Sequence, residues 1–223
     1  WKMIENTIDE VKSNDYFSKV ENLKSFTIVH WEKIDKLDND VNIFKNLYDV
    51  FLEKITQSEK HVSLIFHRFL EKNLIIRFNN KKTISIDPYL TKHAKTIFKE
   101  EQIITTKTSE GANEKVVFQM CVLPYHKDLN QNDYDLIGGI EKLDDQGFYV
   151  YRNKRLMISG TWFRIKTRKD LFSNARIRVD IPNSLDHLWS IDVKKQRAKI
   201  PAVILEQLKG EVSEAVERSR KIH

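Results

Sequence analysis

"GFYVYRNKRLMISGTW", residues 147–162, places four aromatic and three cationic side chains in sixteen positions, a mixture that an ordinary half-buried strand does not need. Alternation along an extended chain sends Phe148 and Val150 to one face and Tyr149 and Tyr151 to the other. The three aromatics read as packing residues rather than as a base-stacking platform. Arg152 and Arg155, at the strand ends, are expected to stack on neighbours such as Trp162 or Tyr151 in preference to clamping a phosphate or a carboxylate.

Downstream, "LMIS", "ARIRVDI" (175–181) and "WSIDV" (189–193) are short and rich in β-branched or aromatic residues, which predicts strands. A helix then closes the chain. Pro201 suits its first turn, Val203, Leu205, Leu208, Val212 and Val216 supply an apolar face, and Gly210 interrupts it at about 1 kcal/mol relative to alanine. Upstream, "LIIRF" and "TISI" flank "NNKK", and "QIITTKT" and "EKVVFQMCVL" flank "SEGAN"; both patterns predict hairpins. Val41, Phe44, Leu47, Tyr48, Phe51, Leu52 and Ile55 form one helical stripe behind an Asp38 or Asn39 cap, and "EKHVSLIFHRFLEK" (59–72) predicts a second helix. Trp1, Ile4, Ile8 and Val11 suggest a helix over 1–12, and "SFTIVHW" (25–31) a strand. No repeat or low-complexity linker is visible. The fold class is therefore α+β, with a hairpin-rich first part and a mixed sheet backed by helices in the second.

The 223 residues, 40% of them hydrophobic, suffice for a real core. The sequence shows no leader pattern and no apolar run near the roughly 18 residues of a membrane span, so a soluble, cytoplasmic protein without membrane contact is expected. Cys121 is the single cysteine and sits in "VVFQMCVL", where a buried small hydrophobe is the natural reading. The seven histidines include no pair at helical ligand spacing, so no metal site is expected. Charge is more telling. Residues 150–223 carry 17 Lys/Arg against 8 Asp/Glu, while the first 149 carry 21 against 24. Such asymmetry is the usual footprint of an anionic partner, with a solvated basic face as the plain alternative.

"FYVYRNKRLM" resembles the strand of mismatch-repair MutL proteins that reads as aromatic-V-N-G-R. "WSIDVKKQRAKI", some forty residues on, resembles their V-N-V-H-P-x-K-x-E-V segment, with "ARIRVDI" between them. "FTIVHWEKIDKL" is similar to the end of the ATPase sheet in MORC-like bacterial ATP-binding proteins, and "HRFLEKNLIIRFNNKKTISIDPYL" to the connection that follows it. The resemblance thus covers nearly the whole chain. It implies a GHKL-type ATPase: residues 1–38 as the end of the ATPase domain, 39–145 as a helical and hairpin connection, and 146–223 as the transducer core, a left-handed βαβ-type fold shared with a ribosomal small-subunit protein. By this resemblance Lys195 takes the place of the lysine that reaches the ATP γ-phosphate, and Lys194 is one residue away. Asp192 and Val193 stand where that family has histidine and proline, and Lys154 where it has glycine.

A GHKL nucleotide site also needs an Asn/Glu helix holding magnesium, a DxGxG turn and a glycine-rich lid, because backbone must approach the phosphates closely. Six glycines scattered as they are here cannot write these motifs. The chain therefore reads as the downstream half of a longer ATPase, and Trp1 as first residue agrees with a fragment; ATP and magnesium belong to the longer protein, with no cofactor expected for this chain alone. The implied partners are the upstream ATPase domain, a second copy on dimerisation, and DNA, with Arg164, Lys166, Arg168 and Lys169 as the expected phosphate contacts. Two rivals stand beside this reading. A basic DNA-binding or interaction module would need no nucleotide. A magnesium-dependent nuclease would use Asp180, Asp192 and Lys194 in a D-x-K layout, although Asp192 fits equally well as the outward side of a half-buried strand.

Overall fold

The computed structural model describes Lys12 and residues 22–25, 27–29, 46–139, 145–186 and 201–222. Contacts divide the chain into two units, Trp1–Phe51 and Leu52–His223. In the first, Thr27, Ile28 and Val29 form no strand, contrary to the expectation for 25–31. The rest of that segment, nearly all of the 1–12 helix and the Asp38/Asn39 cap lie outside the described residues. Helix α1 (Leu47–Ile65) starts where the Asn46 side chain accepts the Asp49 N–H at 3.0 Å, as an N-cap should.

The two expected helices, 41–55 and 59–72, are joined differently. Residues 47–65 are one continuous helix, followed after Phe66 by the single turn α2 (His67–Leu70). The span between the two expected helices has no glycine or proline. The Thr56 and Ser58 hydroxyls donate back to the Leu52 and Lys54 carbonyls at 3.0 and 2.7 Å, so these polar side chains are satisfied within the helix and do not cap a new one.

In the second unit, β1 (Arg77–Phe78) and β2 (Lys81–Lys82) form a hairpin where one was expected, but the turn is tighter: β2 falls inside the expected "NNKK" loop, and the expected strand "TISI" (83–86) is not a strand. Asn79 and Asn80 turn it with φ of 47° and 66°, the left-handed pair that a two-residue loop needs and asparagine tolerates. Among the described residues the main sheet has six strands: β3 (Ile97–Phe98), β4 (Gln102–Lys107), β5 (Asn113–Val122), β6 (Gly147–Arg152), β7 (Arg155–Thr161) and β8 (Ala175–Ile181); the expected strand at 189–193 lies outside the described residues. Their order is β3-β5-β8-β6-β7, with β4 also on β5. The second expected hairpin is β4–β5, turned through 108–112. Since β5 pairs with β8, the upstream hairpin and the 147–181 strands share one sheet. β6 runs parallel to β8. The link between them passes through β7 and a 3-10 turn at Asp170–Phe172 without an α-helix.

β6 is buried on both faces, which accounts for its composition. Phe148 and Val150 join a core with Val116, Phe118 and Met120 of β5, Ile177 and Val179 of β8, and Ile204, Leu208, Val212, Ala215 and Val216 of the closing helix α4 (Ala202–Ile222). Tyr149 and Tyr151 join a second core with Tyr89, Leu90, Cys121, Leu123 and Ile137, the last from α3 (Gln131–Ile137). Neither ring set is exposed enough to stack a base. α4 is tethered through Lys99, whose ammonium lies 2.8 Å from both Glu211 and Glu214. No described helix is long and apolar enough to cross a membrane.

Candidate functional site

The two faces of β8 differ in kind. Ala175, Ile177, Val179 and Ile181 enter the first core, so alternation leaves Arg176, Arg178 and Asp180 on the other face. There the parallel register sets Tyr149 beside Arg178 and Tyr151 beside Asp180. α2 supplies the cover. Arg68 grips Asp180 with both terminal nitrogens, the longer contact 3.3 Å, and its guanidinium stands 3.5 Å above the Tyr151 ring. His67 Nε2 is 3.0 Å from the Tyr151 hydroxyl. Arg178 Nε lies 3.0 Å from Asp180 Oδ2, the oxygen that Arg68 also reaches at 3.3 Å, and the far end of Arg178 meets Glu101.

Beside this network opens a polar cleft of about 260 Å³, bordered by His67, Arg68, Asp87, Tyr89, Gln119 and Arg178. Burial pushes the Tyr151 and Tyr89 phenols well up and, with the neighbouring Arg68, holds His67 down to about 4. Burial also works against the Arg68 charge, but the hydrogen bond to Asp180 prevails and its pKa moves up. At neutral pH the cleft thus presents a neutral imidazole, protonated phenols and two arginines already held by carboxylates. That arrangement fixes structure; Glu71 at the rim is the carboxyl that burial and the nearby Asp87 push up. Cys121 is buried, and burial raises its thiol far above the ordinary range, so it acts as a small core hydrophobe.

His67 sets an expectation for acid. Its folded pKa of about 4 lies below the ordinary 6.5, so between those values the unfolded chain takes up a proton that the folded chain refuses. The resulting stability is complete above about pH 6.5 and is lost as pH falls towards 4, with an upper size of ~3 kcal/mol. Chemical denaturation at about pH 7 and pH 4.5 should show His67→Gln losing less stability than the parent over that interval, by ~2 kcal/mol. Equal losses would mean that the ring is not kept neutral by its site.

The four cations expected to meet phosphate lie together on the connection from β7 to β8. Arg164, Lys166, Arg168 and Lys169 are all exposed. This connection begins in a tight turn closed by the Ile165 N–H on the Trp162 carbonyl at 2.9 Å, with Phe163 and Arg164 at φ of 48° and 66°. Left-handed backbone without glycine is costly for such residues. Anchors hold it: Trp162 is buried and donates to Gln146 at 2.9 Å, Phe163 rests 5.4 Å from the Phe148 ring, and Ile165 packs on the same core. Arg168 donates to the Gly160 carbonyl and Lys169 hangs 5.9 Å over Phe172, whereas the described ion pairs include neither Arg164 nor Lys166.

Lys194, Lys195 and Asp192 lie outside the described residues. Ahead of them in the chain, Arg152 at the end of β6 makes a forked, largely exposed pair with Asp186, its Nε 2.6 Å from the carboxylate. Arg152 therefore clamps a carboxylate, where stacking was expected, and Arg155 stacks on Phe66 at 5.4 Å. Sequence reasoning missed the Arg68–Asp180–Arg178 network, although "ARIRVDI" signals it through two arginines and an aspartate on one face of an otherwise apolar strand. No protein-family model matches the chain, and no curated protein or solved structure is significantly similar to it.

Proposed function

We propose that this chain is the transducer region, with the tail end of the ATPase domain, of a GHKL-type ATPase related to MutL and MORC-like proteins. By the resemblance its sheet would be the ribosomal-type βαβ transducer fold, with the β6–β8 link made by β7 and a 3-10 turn in place of a helix, and ATP binding upstream would drive closure or dimerisation on DNA, in repair, restriction or phage defence. The observation that carries the reading is the placement of β6: the aromatic strand of the resemblance is the buried parallel neighbour of β8, and its last residue, Arg152, pins the chain at Asp186 just ahead of the Lys194–Lys195 segment. By the resemblance Lys195 would supply positive charge where negative charge develops on the γ-phosphate during transfer; at about 4 Å and an effective dielectric near 20 such an attraction is on the order of 4 kcal/mol. Calorimetry separates the halves of the machine. This chain alone should bind magnesium-ATP more weakly than micromolar, and the longer protein tightly; micromolar binding by the chain alone would reverse the assignment.

The DNA part rests on the exposed cations of the β7–β8 connection. Contacts from this connection go to phosphates and should be indifferent to sequence, contributing roughly −3.6 to the log-log salt slope for about four phosphates. Charge reversal at Arg164, Lys166, Arg168 and Lys169 should flatten that slope, and an unchanged slope would put the DNA surface elsewhere. The nuclease reading gains nothing from Asp180, whose carboxylate is held between Arg68 and Arg178; a metal ion would have to displace two guanidiniums.

A further inference from the structure

No residue of the hairpin β1–β2 belongs to either core cluster. Between Lys72 and Ile86 the chain has four cations, Lys72, Arg77, Lys81 and Lys82, and no acid. All four are exposed, and the described ion pairs involve none of them. Arg77 is paired directly with Lys82, and Phe78 with Lys81. The Thr83 N–H donates to the Ile76 carbonyl at 2.9 Å, which carries the register outward and sets Ile75 beside Ile84.

Alternation then sorts the ribbon. Thr83 is buried and Ile76 and Phe78 are half-buried, so that face turns inward; Ile75, Arg77, Lys82 and Ile84 share the outer face. Ile75 is 56% and Ile84 72% exposed. This is a poor arrangement for a ribbon left in water. Like charges directly opposite one another destabilise a strand pair, and a hairpin this short is marginal by itself. An anionic surface laid against Arg77 and Lys82 would remove the repulsion.

We propose that the outer face of hairpin β1–β2 is a second DNA-contacting element, a two-stranded ribbon that enters the major groove of duplex DNA with Arg77 and Lys82 on flanking phosphates and Ile75 and Ile84 against base edges. The shape favours this occupant, because the major groove admits a two-stranded ribbon and its thymine methyl groups offer apolar contact. The inference rests on the DNA reading given above and adds a site to it.

Fluorescence anisotropy with a duplex oligonucleotide, titrated between about 50 and 200 mM salt, tests it. Arg77→Glu with Lys82→Glu should weaken binding at least ~10-fold at the lower salt and reduce the salt slope by about 1.8, two phosphates at roughly 0.9 each. The milder Arg77→Ala with Lys82→Ala, which spares the hairpin a reversed charge, should move both quantities in the same direction, with parent-like thermal melts. If both hairpin variants bind like the parent while reversal at Arg164 and Lys166 flattens the slope, the hairpin inference is wrong and the DNA reading stands. If the parent binds no duplex at all, both fail. Tighter binding to phosphatidylserine vesicles than to duplex, lost in Ile75→Ser with Ile84→Ser, would overturn the inference in favour of a membrane surface.

Discussion

Gly147→Ala is expected to lose ~2–5 kcal/mol of stability and to lower the melting temperature by roughly 4–20 °C. Gly147 opens β6 with φ of +98°, and a Cβ there would lie 2.5 Å from the Thr161 carbonyl oxygen, 2.9 Å from its carbon and 3.0 Å from the Trp162 ring. Left-handed backbone costs an L-residue about 1–2 kcal/mol, and forced contact in a packed region adds typically 1–3 kcal/mol. The obstructing atoms are backbone of the neighbouring strand β7, paired to β6 at Phe148–Thr161, so a rotamer change cannot relieve them. Gly210 supplies the opposite control. It lies inside α4, and a methyl group added there would meet nothing within 4 Å, so Gly210→Ala should stabilise the fold by ~0.5–1 kcal/mol. Thermal and urea melts of the two variants check both signs; a neutral Gly147→Ala would mean that the β6–β7 junction is far more compliant than its geometry.

Why Gly147 matters was not visible in the chain. Alternation made β6 legible, and both cores it separates follow from that reading, because side-chain direction in a strand is a local property. A hairpin near "NNKK" was legible from its turn residues, but not its register: the turn closes at Asn79–Asn80 and takes Lys81 and Lys82 into β2. The break in the helix at Phe66 was not, since Phe66 is neither glycine nor proline and no local signal marks it. The ion network of the cleft was even less accessible: Arg68 and Asp180 are 112 positions apart, and only folding α2 over the polar face of β8 brings them together. The basic connection was found through charge alone. Its rigid left-handed turn at Phe163–Arg164 runs against local preference and is sustained by packing on Phe148 that no neighbouring residue announces.

Lys195→Ala, in the protein that includes the upstream nucleotide-binding domain, is expected to lower ATP hydrolysis by roughly 100-fold or more. A preorganised cation aimed at charge developing on the γ-phosphate contributes about 3–4 kcal/mol by analogy with oxyanion donors. Such a contact forms chiefly in the transition state, so nucleotide affinity should change little. Successive side chains on an extended segment point to opposite sides, so Lys194 and Lys195 should not both face the nucleotide, and Lys194→Ala should be several-fold milder. Steady-state ATP hydrolysis by the parent and these two variants, each with a thermal melt to show that folding is intact, is the most direct measurement. The transducer account predicts the large loss at Lys195, the smaller one at Lys194 and unchanged melts; hydrolysis equal to the parent in both variants, or a parent that hydrolyses no ATP, would contradict it.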